Sequence, residues 1–262
     1  MRPRRRLAVL GVAAALLLAA VFAVAPKAQD QGYHLFADTE PLGPVPNALN
    51  VLSNLAFLAA GLWGLSAVSA TRAARAFEDP RESQPWTVFF AAIAATAFGS
   101  AWYHAAPDDA RLFWDRLPMT IAFSSLVAAV LAERVDAQAG RRLLVPLVGA
   151  GVAAILAWRF LGDLRPYIFL QAFSILVVLA ALLFFPSPYP HGRWLAGLVA
   201  GYAAALFFEV FDRQVKAVLG FTGGHPLKHL AAAAGTACLV WMIKLRSASR
   251  PGESTPRLNI RA

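Results

Sequence analysis

Eight stretches of the chain are almost continuously apolar, and short polar segments separate them. They run at about 7–25, 48–70, 86–106, 114–132, 143–161, 166–185, 194–211 and 225–243. Each has, or nearly has, the roughly 20 residues that a helix needs to cross a bilayer core. The pattern predicts an all-α integral membrane protein, a seven-transmembrane-helix bundle preceded by one N-terminal signal-anchor helix. Residues 26–47 are polar and proline-rich and read as loop. The chain divides into an anchor segment at 1–30, a membrane domain at 31–246, and a polar tail at 247–262 that is read as disordered and cytoplasmic.

The first apolar run could be a cleaved signal peptide, because Ala23-Val24-Ala25 has the small-x-small form. Yet its 19 residues, Leu7 to Ala25, exceed the usual apolar core of such peptides, and Pro26 follows the would-be cut. A retained anchor is the better reading. Small residues at Ala59-Ala60-Gly61, Gly149-Ala150-Gly151 and Gly197 with Gly201 permit close helix packing, although they are also ordinary membrane-helix composition.

Composition strengthens the membrane reading. The chain is 58% hydrophobic and 15% charged, against roughly 25% charged for a soluble domain. The net charge of +9 does not point to nucleic acid, because the basic residues lie between and outside the apolar runs. With the amino terminus inside, the cytoplasmic segments hold sixteen Lys and Arg and the opposite segments six. That bias sets both termini in the cytoplasm. A single cysteine, Cys238, excludes an internal disulfide and a thiolate metal cage, and reads as a small buried hydrophobe.

The candidate chemistry interrupts the apolar runs. Ser100 and His104 end the third run, Asp115 begins the fourth, and His225 and His229 begin the eighth. All five therefore fall at one membrane level, on the side away from the cytoplasm. Ser100 and His104 are four residues apart, as are His225 and His229, so each pair shares a helix face. Imidazoles and a carboxylate are costly in such segments unless they face one another. Three histidines without a thiolate suit a catalytic Zn2+, which takes three protein ligands and leaves a position for water. A b-type haem does not fit, since His225 and His229 on one helix cannot take opposite faces of the ring. Asp115 could accept a proton from water or pair with Arg111 or Arg116. Ser100 could orient that water or bond the carbonyl four residues back. His34 and His191 lie in connecting loops and read as satisfied interfacial side chains.

Taken together, Asn50-Val51-Leu52-Ser53-Asn54-Leu55, Gly99-Ser100-x-x-x-His104, Asp115-x-Leu117-Pro118-Met119 and His225-x-x-x-His229 resemble the alkaline ceramidases. These belong to a wider superfamily of seven-helix membrane hydrolases that includes the progestin and adipoQ receptors. The likeness covers about residues 33–244, and Leu7–Ala25 is an addition. It implies zinc held by His104, His225 and His229, with Asp115 as proton acceptor and Ser100 as its oxyanion or water partner. The implied substrate is a ceramide-like lipid amide, cleaved to a sphingoid base and a fatty acid. Glu209-x-x-Asp212-Arg213 and Gly224-His225-x-x-Lys228-His229 look more like the bacterial members. That implies a bacterial inner membrane and a site open to the periplasm. The chain departs from the animal enzymes at Arg116, where they carry an acidic residue, and at Pro226-Leu227-Lys228. Where their calcium site has a glutamate this chain has Asn47, with Asp38 and Glu40 upstream, which counts against Ca2+. Two other classes fit the same residues: a lipid receptor or sensor braced by a structural metal, and a transporter with Asp115, Glu209 and Asp212 as a proton relay. Oligomeric state is not legible in the sequence.

Overall fold

A computed structural model of the protein describes residues 3–248. Among them the fold is all-α, with no strand beyond an isolated bridge between Leu42 and Val45. The helices are α1 (Pro3–Phe22), the short α2 (Ala48–Leu52), α3 (Leu55–Ala73), α4 (Ser83–Ala105), α5 (Asp109–Arg134), α6 (Ala137–Leu161), α7 (Arg165–Phe184), α8 (Leu195–Val210), the short α9 (Asp212–Leu219) and α10 (Gly224–Ala248). Eight segments are long and apolar enough to cross a membrane, matching the eight apolar runs. The polar tail expected at 247–262 lies, from residue 249 on, outside the described residues.

α5 is the axis of the bundle and its most buried span. It packs on α4 and α6, α3 joins α4 to α10, and α8 lies against α10. α7 leans on α5 and meets α8 only sparsely. The core is a cluster around Trp86, Phe90, Val127, Leu239 and Ile243. Trp102 and Trp114 are exposed near one end of the bundle and Trp241 near the other, the positions that aromatic belts take at bilayer interfaces. Cys238 is half-buried and lies against Gly197 across the α8–α10 contact, so it is less enclosed than its apolar run suggests.

Helix boundaries differ from the hydropathy pattern where polar caps decide them. α5 begins at Asp109, about a turn and a half before the apolar run, because the Asp108 carboxylate accepts from Arg111 N at 2.7 Å. Asp115 is therefore not a helix-start residue but lies in the second turn. The connection at 212–219 also folds as a helix, α9, whose polar Asp212, Arg213 and Lys216 conceal it from a hydropathy reading. The first helix rests on α7, with Leu10 buried. Arg6 Nη1 donates to the Arg134 carbonyl at 2.6 Å, and Arg165 Nη1 donates to the Val24 carbonyl at 2.8 Å.

The end of the bundle near Arg134 is locked by buried charge. Arg246, with no exposed surface, is ion-paired to Glu133 and lies 3.7 Å from Glu82, while its guanidinium stacks 3.9 Å from the Tyr189 ring centroid. Arg134 donates to the carbonyls of Ala181, Phe185 and Gly192. Such a cluster ties α4, α5, α7 and α10 together, and removing one member strands the others without water. Arg246→Ala is expected to destabilise the protein by about 3 kcal/mol or more, read as a lower unfolding midpoint in detergent with metal content unchanged.

Candidate metal centre

His104 closes α4, and His225 and His229 open α10. Their ring centroids form a nearly equilateral triangle with edges of 4.7, 5.0 and 4.9 Å. All three are buried, at 1%, 3% and 3% exposure. One nitrogen from each lies within 4.8 Å of the other two. Among the described residues this is the one group of three or more His, Cys, Asp or Glu side chains able to hold a metal ion.

Backbone contacts explain why these ends meet. A methyl group on Gly99 would sit 2.1 Å from the Trp114 carbonyl oxygen. Glycine therefore lets α4 and α5 touch where Ser100 faces Asp115. Gly224 is equally tight, with a notional Cβ 2.2 Å from the Phe208 carbonyl oxygen, so α10 starts directly against the end of α8. That start is capped from another helix, since the His225 N–H donates to Asp212 Oδ1 at 2.9 Å. The other Asp212 oxygen accepts from the Ala37 N–H at 2.8 Å, which draws the 26–47 loop over the site. Asn47 sits in the left-handed region at φ 45°, a conformation that asparagine tolerates, and donates to the His104 carbonyl at 2.8 Å. Phe36 then lies over the histidines, its ring 4.7 Å from that of His104 and 4.4 Å from that of His225.

The hydrogen-bond network sets the ring nitrogens. Ser53 commits its hydroxyl proton to the Asn50 carbonyl at 3.1 Å, so its oxygen accepts from His229 Nδ1 at 2.8 Å. That assignment leaves the His229 Nε2 lone pair free. His225 Nδ1 lies 3.6 Å from Glu209 Oε2. His104 Nδ1 is buried with no hydrogen-bond partner among the described residues, a state that costs about 1–3 kcal/mol unless something satisfies it. A cation does so. Zinc–nitrogen bonds of about 2.0–2.1 Å hold tetrahedral ligand atoms a little over 3 Å apart, so the three nitrogens, within 4.8 Å of one another, would draw together on an ion. The donors present fit a metal.

His34 has no such free nitrogen. Its Nε2 donates to Asp109 Oδ1 at 3.1 Å, and its Nδ1 accepts from the Tyr103 hydroxyl at 2.9 Å. His191 precedes the turn that leads into α8. Asp38, weighed for calcium, has its carboxylate 3.6 Å from Lys216 Nζ and 3.3 Å from the Gly223 N–H. It anchors the loop.

A cavity of about 380 Å³ adjoins the triad, within the range of small-molecule sites. Ser100, Asp115, Lys228 and His229 line its polar end, and Phe89, Leu126, Val178 and Leu198 line its apolar depth. From Asp115 to Leu126 along α5 it extends about 16 Å, at 1.5 Å per residue. Asp115 pairs with neither Arg111 nor Arg116 within salt-bridge distance; Arg111 instead reaches Asp108 and the Ala106 carbonyl. The Asp115 carboxyl lies beside the Ser100 hydroxyl. Other hydroxyls in these helices, such as Thr96 and Ser174, bond the carbonyl four residues back, and Ser100 makes no such bond. Lys228 is ion-paired to Glu209. Tyr33, outside the spans, completes the roof, and desolvation pushes its phenol above the ordinary value, so it stays protonated. Ser53, which the sequence placed in a motif, and Asn47, which stands where the family's calcium site has a glutamate, reach the triad through contacts that spacing does not reveal.

No protein-family model matches the chain, and a search of curated proteins returns no match. The arrangement itself is therefore the basis for any functional reading. If Ser53 orients His229, Ser53→Ala weakens metal binding by about tenfold or more, as measured by competition with a chelator. Unchanged affinity would remove Ser53 from the site.

Proposed function

We propose that the chain is a membrane-embedded, zinc-dependent amide hydrolase that cleaves a ceramide-like lipid amide to a sphingoid base and a fatty acid. The observation that carries this reading is the cavity, whose polar end joins a histidine of the metal triad to a carboxyl–hydroxyl pair and whose depth is apolar. An amide bond attached to an alkyl chain matches both halves. The sequence resemblance to alkaline ceramidases supports the same substrate class.

His104, His225 and His229 would hold the zinc, which when bound supplies Lewis acidity that activates water and polarises an amide carbonyl. The Asp115 carboxylate takes a proton from the attacking water as its oxygen adds to the carbonyl carbon. It returns that proton to the amine nitrogen as the C–N bond breaks, leaving an amine and a carboxylic acid, whose proton passes to the amine to give an ammonium and a carboxylate. Ser100 steadies the Asp115 carboxyl and donates toward the developing oxyanion. Glu209 stands behind His225 and meets Lys228, holding a cation at the cavity wall. Phe36 and the apolar lining exclude bulk water, which strengthens each of these interactions. With the amino terminus in the cytoplasm, the site faces the periplasmic leaflet.

The test pairs two variants of the purified protein with lipid-product mass spectrometry. His225→Ala is expected to lose both the metal and amide cleavage. Asp115→Asn is expected to keep the metal while turnover falls by about 10²–10⁴-fold. A wild type that binds zinc yet cleaves no lipid amide would instead be a receptor or sensor with a structural metal.

A further inference from the structure

Among the described residues three arginines are buried, and one of them is treated differently. Arg246 faces Glu82 and Glu133, and Arg134 lies 3.4 Å from Glu133 and donates to three backbone carbonyls. Arg116, 7% exposed, has no carboxylate oxygen within 4.0 Å among the described residues. One of its five N–H donors is used, Nη1 to Gln29 Oε1 at 2.8 Å. The rest of its surroundings are aromatic faces: Trp158 at 4.8 Å, Tyr167 at 5.1 Å and Tyr33 at 5.3 Å from the guanidinium carbon. These ring faces attract the guanidinium, and none of the three residues hydrogen-bonds to it among the described residues. Arg116 also lines the cavity, next in sequence to Asp115.

A guanidinium set against three ring faces, with N–H donors to spare and bordering a cavity, is a preformed fork for an oxyanion. We infer that the lipid bound in this cavity carries an anionic group, a carboxylate or a phosphate-type oxyanion, on the polar side of its amide, and that Arg116 receives it beneath Gln29 and Tyr33. The inference rests on the amide-hydrolase reading for where the amide lies, and it narrows the ceramide-like lipid amides to those that carry an acidic headgroup. The chain-bearing end fills the apolar depth toward Leu126, and the acidic end closes the charge balance at the roof.

The test compares N-oleoylglycine with N-oleoylethanolamine, two amides with the same chain and near-equal headgroup size, one ending in a carboxylate and the other in a hydroxyl. Affinity is measured on full-length protein in detergent, in the Asp115→Asn background so that binding is read without turnover. The glycine amide is expected to bind on the order of tenfold tighter, as charge-assisted fork hydrogen bonds imply. Adding Arg116→Gln is expected to abolish that preference, while Arg116→Lys retains part of it. Equal affinity for the two lipids before Arg116 is changed, or a preference that survives Arg116→Gln, overturns the inference. So does displacement of the lipid by an equal concentration of N-acetylglycine, which would mark a site for free anions. The two readings fail separately. Wild-type cleavage of the ethanolamide without any acid preference keeps the hydrolase and loses the anion fork, and acid preference with no cleavage of either lipid does the reverse.

Discussion

Burying three imidazoles together is the constraint around which the rest of this bundle is arranged. Each ring is buried, and His104 Nδ1 has no hydrogen-bond partner among the described residues. A bound cation could take up ring lone pairs there, and the rings meet because α4 ends where α10 begins. Several otherwise unrelated features serve that requirement. Gly99 and Gly224 remove side-chain bulk where backbones touch. Asp212 caps α10 from across a helix boundary and pins the loop that bears Phe36. Asn47 accepts a left-handed conformation and bonds the last turn of α4.

The two ends of the bundle handle buried polarity in opposite ways. Asp115 and Glu133 share α5 and are eighteen residues apart, about 27 Å along the helix. Around Glu133 the charges neutralise one another, with Arg246 and Arg134 meeting carboxylates and carbonyls directly. Around Asp115 the closure is partial: Lys228 meets Glu209, but Asp115 has a hydroxyl neighbour, Arg116 has one amide oxygen and rings, and His104 Nδ1 has no partner among the described residues. A closed network suits a clamp. An open one, bordering a cavity, suits a site that is completed by what binds there.

Much of this was legible in the sequence, for a definite reason. Apolar runs report spans because a bilayer leaves a helix no polar partner, so the eight runs match eight candidate spans. Counting those runs from one side also brought Ser100, His104, Asp115, His225 and His229 to a common level. What the sequence concealed depends on contacts between distant side chains or on caps outside the apolar runs. The Asp108 cap moves the start of α5, and α9 is hidden by its charged residues. Ser53 reaches His229 across 176 positions and Arg246 reaches Glu133 across 113, with no local pattern to mark either pair. The isolation of Arg116 is also invisible in sequence, where Asp115 beside it looks like a ready partner.

The central claim is that these three rings surround one ion, and X-ray absorption at the zinc edge on zinc-loaded, full-length protein tests it most directly. The account predicts one zinc per chain with a first shell of nitrogen and oxygen, histidine scattering from three rings, and loss of that signal in His104→Ala. Zinc bound without the histidine signature, or a signature that persists in His104→Ala, would contradict it.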